Sequence, residues 1–128
     1  MRQAKFTSAT AILLGIVSLI GLTTAASAQE TPCDECWAVA NPDGSRLRSR
    51  GLRSITRIGE GSYTVRFKRD LSRCSWVGTI GLGIFGGSAE PGFISISGKE
   101  GTIRALSVKT FDTTGAAADR AFHVQIEC

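Results

Sequence analysis

The sequence predicts an all-β fold, an antiparallel β-sandwich or jelly roll, behind a cleaved export leader. Three observations lead there. Apolar and polar residues alternate with period two along several short stretches, as in strands with one buried face. Turn-forming residues recur roughly every ten positions, the rhythm of a sandwich. The one run of high helix propensity, Ala116 to Ala118, is too short to hold a helix.

The leader comes first. Arg2 and Lys5 make a short basic region, Ala11 to Leu22 is apolar and charge-free, and Ala26-Ser27-Ala28 is a small-x-small cleavage pattern. The apolar run falls short of the roughly 20 residues that cross a bilayer, so cleavage after Ala28 is expected rather than a membrane anchor. The expected division is residues 1–28 as signal peptide, 29–36 as an N-terminal segment and 37–128 as the β domain, secreted or periplasmic. The style of the leader looks bacterial.

Composition suits this reading. The chain has 128 residues, 42% of them hydrophobic and 20% charged, which fits one globular domain and excludes a large multidomain enzyme or a disordered chain. The 15 glycines show no three-residue period, which excludes collagen.

The strands follow in order. Cys36 to Ala40 is the first, closed by Asn41-Pro42-Asp43-Gly44, in which proline presets φ and glycine tolerates the turn. Strands are then expected around Leu47–Leu52 and Ser54–Ile58, with a break at Gly59-Glu60-Gly61. Ser62 to Lys68 is the clearest: Tyr63, Val65 and Phe67 alternate with Thr64, Arg66 and Lys68. Cys74 to Ile80 places Cys74, Trp76 and Ile80 on one parity. Phe93–Ser97 and Ile103–Phe111 come next, separated by Gly98-Lys99-Glu100-Gly101, and Asp112-Thr113-Thr114-Gly115 turns the chain again. In the last strand Phe122, Val124, Ile126 and Cys128 alternate with His123, Gln125 and Glu127, which sets Cys128 on the apolar face and His123 outward.

All four cysteines follow the leader, and an even count in a small exported domain reads first as disulfides. Strand parity favours Cys33–Cys36 and Cys74–Cys128, the latter meeting across the core and contributing about 4 kcal/mol by loop entropy. The crossed pairing, tying Cys33 or Cys36 to the body, competes with it. Cys33-Asp-Glu-Cys36 also has the spacing of a redox pair or of half a zinc site. Flanking acids disfavour a reactive thiolate, and no second close pair exists to complete a zinc centre. No metal or other cofactor is expected.

No catalytic constellation stands out, and no enzymatic activity is expected. Gly81-x-Gly83-x-x-Gly86 has dinucleotide-binding spacing, but no helix follows to hold a pyrophosphate. His123 is the single histidine; a Ser–His–acid site would need Asp112 or Asp119 brought to it.

Two features can carry binding. Residues 46–73 hold Arg46, Arg48, Arg50, Arg53, Arg57, Arg66, Lys68, Arg69 and Arg73 against only Glu60 and Asp70. Arg46, Arg48 and Arg50 alternate, so in a strand they share a face suited to an anionic cell-surface polymer. The plain alternative is edge charge that keeps sheets from aggregating. Nucleic acid is not expected, because Tyr63 and Phe67 lie on the core parity and offer no stacking platform. The second feature is Gly81 to Gly92, flexible yet carrying Leu82, Ile84 and Phe85. These residues either fold over the core or reach out to a protein partner.

The run Gly61-Ser-Tyr63-Thr-Val65-Arg-Phe67-Lys-Arg69-Asp70-Leu-Ser-Arg-Cys74, with Val77-Gly-Thr-Ile80-Gly81, resembles a pattern of small exported bacterial domains of unknown function. Val108-x-Thr110-x-Asp112-x-x-Gly115, Asp119, Phe122 and the final Cys128 belong to the same resemblance, which covers roughly residues 37–128. It implies that the mid-chain and final cysteines occur together. More distantly, Gly-x-Tyr-x-Val-x-Phe is similar to the jelly-roll heads of phage fibres and collagen-like proteins, which are often trimeric, so the resemblance allows an oligomer. It implies no activity and no site residues. The expected function is a secreted, non-enzymatic surface-binding or structural module; the alternative is a small secreted hydrolase or a protein inhibitor of an extracellular enzyme.

Overall fold

The computed structural model describes residues 33–128, so the leader and residues 29–32 lie outside it. Its strands are β1 (Glu35–Ala40), β2 (Arg46–Arg50), β3 (Leu52–Gly59), β4 (Ser62–Phe67), β5 (Ser75–Ile80), β6 (Phe93–Gly98), β7 (Ala105–Phe111) and β8 (Phe122–Glu127), and no helix accompanies them among the described residues. Each stretch read as a strand forms one, within a residue or two at its ends. The first begins at Glu35, so Cys36 belongs to the sheet rather than to a preceding segment.

The strands form two four-stranded antiparallel sheets, ordered β2-β1-β8-β5 and β3-β4-β7-β6. They pack face to face as a β-sandwich. Period two then acts as expected. Tyr63, Val65 and Phe67 of β4 and Phe122, Val124 and Ile126 of β8 are all buried, while their alternating neighbours are not. Leu106 and Val108 of β7 and Ala38 and Ala40 of β1 complete the layer. Tyr63 and Phe122 meet across the two sheets, ring centroids 4.9 Å apart and tilted by 56°, a favourable arrangement for aromatic quadrupoles.

The chain passes from one sheet to the other between β2 and β3 through the single residue Gly51, at φ 70°. Two sulfurs from the start of the domain explain why it must be glycine. A Cβ there would collide with the Cys33 sulfur and lie 2.8 Å from that of Cys36. Cys33 and Cys36 are bonded to each other, so this disulfide caps the corner where the sheets are joined. Cys36 is fully buried.

Cys74 and Cys128 form the second bridge, as strand parity favours, with S–S 2.07 Å and Cα–Cα 4.2 Å. Its position differs from the expectation. β5 and β8 are neighbours in one sheet, with Ser75 opposite Glu127, so the cysteines stand side by side one step beyond the ladder. The bridge staples adjacent strands instead of spanning the core. Cys128 is exposed and Cys74 half-buried. Parity sets which side a residue faces but not its depth, and a residue past the end of a ladder lies at the rim.

Candidate functional site

One end of the sandwich gathers the turn 41–45, the β3–β4 turn, the loop 81–92 and the segment 112–121. Asp119 organises it. Its carboxylate accepts hydrogen bonds from the Gly61 N–H at 2.8 Å, the Tyr63 hydroxyl at 3.1 Å and the Arg57 guanidinium at 3.0 Å. The Tyr63 hydroxyl also lies 2.6 Å from the Pro42 carbonyl. Buried Thr110 donates to the Ala118 carbonyl at 2.6 Å. The Arg57 hydrogen bond chiefly holds the Asp119 carboxyl below its ordinary pKa; burial opposes it, and the Gly61 and Tyr63 donors add to it. Burial pushes the Tyr63 phenol up, so it stays protonated.

The next residue, Arg120, extends this latch to the loop 81–92. It forms an ion pair with Glu90 at 3.0 Å and donates to the Pro91 carbonyl. The other end of the loop is also held. His123 Nε2 lies 3.0 Å from the Leu82 carbonyl, which can only accept, so Nε2 carries the hydrogen. Gly83 is buried against the side chains of Val39 and Leu47, which occupy the space a Cβ would need. Between these anchors residues 84–88 are exposed: Ile84 is 65% exposed and Phe85 fully so. Leu82 is half-buried and belongs to the base of the loop, while Ile84 and Phe85 form its tip.

The Leu47 contact joins the two candidate regions. Leu47 lies between Arg46 and Arg48, and Val39 stands directly opposite Arg48. The basic strand therefore flanks the base of the apolar loop. Arg48 and Arg50 pair with Val39 and Trp37, and directly opposed residues share a face. Arg46 does not join them: the register shifts between Val39 and Ala40, which sets Arg46 opposite buried Ala40. That β-bulge is why the expected row of three becomes a pair. Among the described residues no ion pair or hydrogen bond engages the side chains of Arg46, Arg48 or Arg50, whereas Arg57, Arg69, Arg104 and Arg120 are engaged. β2 is also an edge strand, where such charges discourage strand addition.

Beside the arginine pair, the outer face of the sheet holds an open groove of about 340 Å³, lined by Trp37, Val39, Val77, Thr79, His123 and Gln125. Trp37 and Val39 were not singled out from sequence. The signal was their alternation with Cys36, Ala38 and Ala40, which turns the larger side chains outward.

The acids offered for a hydrolytic site are engaged elsewhere. Asp112 accepts from the Thr114 N–H and hydroxyl and from the Ala116 N–H within its own turn. Asp119 is held by the latch, and His123 faces Leu82. Gly81, Gly83 and Gly86 lie in a loop between strands, so the dinucleotide spacing has no helix behind it. Among the described residues no group of three or more His, Cys, Asp or Glu is placed to hold a metal ion, and no helix is long and apolar enough to cross a membrane. The two disulfides suit an oxidising compartment. Comparisons with protein-family models, curated proteins and solved structures found no match for this chain.

Proposed function

We propose that this protein is an exported, non-enzymatic module that adheres to an anionic surface of the cell envelope. The binding face would combine Arg48 and Arg50, the adjoining Trp37 groove and the loop 81–92. The observation that carries the reading is the contact of Gly83 with Leu47 and Val39. It sets the base of the apolar loop against the strand that carries the arginines, which have no partners among the described residues. Clustered cations attract a polyanion over several ångströms and lose hold as salt rises. Trp37 and Val77 offer apolar contact, and His123, Thr79 and Gln125 polar contact, to groups that settle in the groove.

Pelleting with isolated cell envelopes tests this. Wild-type protein should co-sediment, release with added salt, and lose binding when Arg48→Glu and Arg50→Glu are combined. Retention unchanged by the charge reversal would remove the arginines from the account. A second reading draws on the fully exposed Phe85: the anchored, protruding loop would enter the cleft of an extracellular enzyme as an inhibitor. That reading expects a soluble protein target and binding indifferent to Arg48 and Arg50.

A further inference from the structure

We infer that the anionic surface is a lipid bilayer and that the loop tip, Ile84 and Phe85, inserts into its outer boundary. The inference rests on the adhesive reading above and names its partner.

The tip is built for shallow insertion. Gly81 to Ala89 contains no charged residue, so nothing ionised must be dehydrated as the tip leaves water. Its two large side chains are adjacent and project into solvent. Both ends of the loop are pinned, by Leu82 and Gly83 on one side and by Arg120 with Glu90 and Pro91 on the other. The tip is thus presented on a fixed base, so only its few residues remain to be ordered at the moment of contact, which limits the entropic cost of binding.

Charge selects the occupant. With Ile84 and Phe85 in the acyl boundary, the loop base would lie at headgroup level, where Arg48 stands beside Val39 and Arg50 follows on the same face. Cations at that depth over an apolar wedge are the arrangement that holds interfacial proteins to anionic lipid. A polysaccharide would satisfy the arginines and leave Phe85 in water. A protein pocket would take Phe85 but would need its own carboxylates, set at the right places, to use the arginines. The bilayer uses both. Insertion stays shallow because the backbone of a loop, unlike a helix, leaves polar groups that hydrocarbon cannot satisfy.

The test uses oxidised full-length mature protein with phosphatidylcholine vesicles, with and without phosphatidylglycerol. Wild type should sediment with the phosphatidylglycerol vesicles and only weakly with the neutral ones. Phe85→Ser, at a fully exposed site, keeps the fold and should weaken binding roughly tenfold or more. Arg48→Glu should weaken it by at least about fivefold, the equivalent of one cation near an anionic surface. Phe85→Trp should show a blue-shifted emission on vesicle binding, over the background of Trp37 and Trp76. Binding unaffected by Phe85→Ser would overturn insertion, and so would an emission from the sedimenting Phe85→Trp variant that does not move. Protein that pellets with envelopes in an arginine-dependent way yet ignores both vesicles would overturn the lipid assignment and leave the adhesive reading in place. Failure to bind either envelopes or vesicles would overturn both.

Discussion

Truncating Asp119 to alanine should cost about 1.5–3 kcal/mol of stability, and the structure indicates where the loss arises. The carboxylate serves three donors, but they are not equivalent. The Arg57 and Asp119 side chains are 38% and 30% exposed, so water replaces much of that ion pair once it is broken, and little of the loss comes from there. The Tyr63 hydroxyl keeps the Pro42 carbonyl as an acceptor. The Gly61 N–H is left part-buried without a partner, and an orphaned buried donor carries most of the penalty. Asp119→Asn keeps a neutral acceptor of the same shape and should lose about half as much, by the ratio of charged to neutral hydrogen bonds. Urea unfolding with both disulfides intact measures this from the midpoint and slope. The effect depends on pH with a definite sign. The folded pKa lies below the ordinary value of 3.8, so the carboxylate's contribution is full above that value and drains away as pH falls through the folded pKa. Asp43, Asp70 and Asp112 are shifted in the same direction by their own turns, so the informative quantity is the difference between wild type and variant. That difference should be constant near neutrality and shrink below about pH 4. A loss under about 1 kcal/mol, or one that does not change with acid, would refute the argument that Asp119 holds this end of the sandwich together.

The two disulfides should differ in worth. Cys74 and Cys128 are 54 positions apart, and replacing both by serine should cost about 4 kcal/mol by loop entropy; the three-position Cys33–Cys36 loop should cost about 2 kcal/mol, plus whatever packing is lost at the corner. Denaturant titration of the two double variants compares them directly, and equal costs would count against the entropic account. Gly51→Ala meets both a positive φ and two sulfurs, so it should lower stability by more than the roughly 1 kcal/mol that conformation alone would cost; a thermal melt together with a free-thiol assay shows whether the fold or the Cys33–Cys36 bond gives way.

Much of the fold was legible because strand alternation is local. Tyr63, Val65 and Phe67 reveal their common face within six residues, and Asn41-Pro42-Asp43-Gly44 announces its turn within four. The candidate site was legible only in pieces. Arg48 and Arg50, and Ile84 and Phe85, drew notice as separate features, and nothing in their spacing indicated that they adjoin. The inclusion of Arg46 failed because a bulge between β1 and β2 breaks the alternation from which the shared face was inferred. Asp119 drew notice only as a possible acid for a hydrolytic site and as part of the resemblance, and Arg120 not at all, since an isolated Asp-Arg pair between alanines looks like any solvated loop. Their partners are remote: Arg57 and Gly61 lie some 60 residues before Asp119, and Glu90 and Pro91 about 30 before Arg120.

Residue order alone dictates that the chain folds in strands, which side of each strand is apolar, and that a glycine-rich loop carrying Leu82, Ile84 and Phe85 follows β5. These properties depend on neighbours in the chain, where the two-residue repeat of a strand sorts side chains at once. Which strands lie side by side, that the Cys74–Cys128 bridge sits at the rim, and that Gly83 seats the loop against Leu47 beside the arginines of β2 emerge only from the folded molecule. Those facts follow from sheet order and register, which are set by how the buried faces of distant strands pack against one another, and no local pattern encodes that packing.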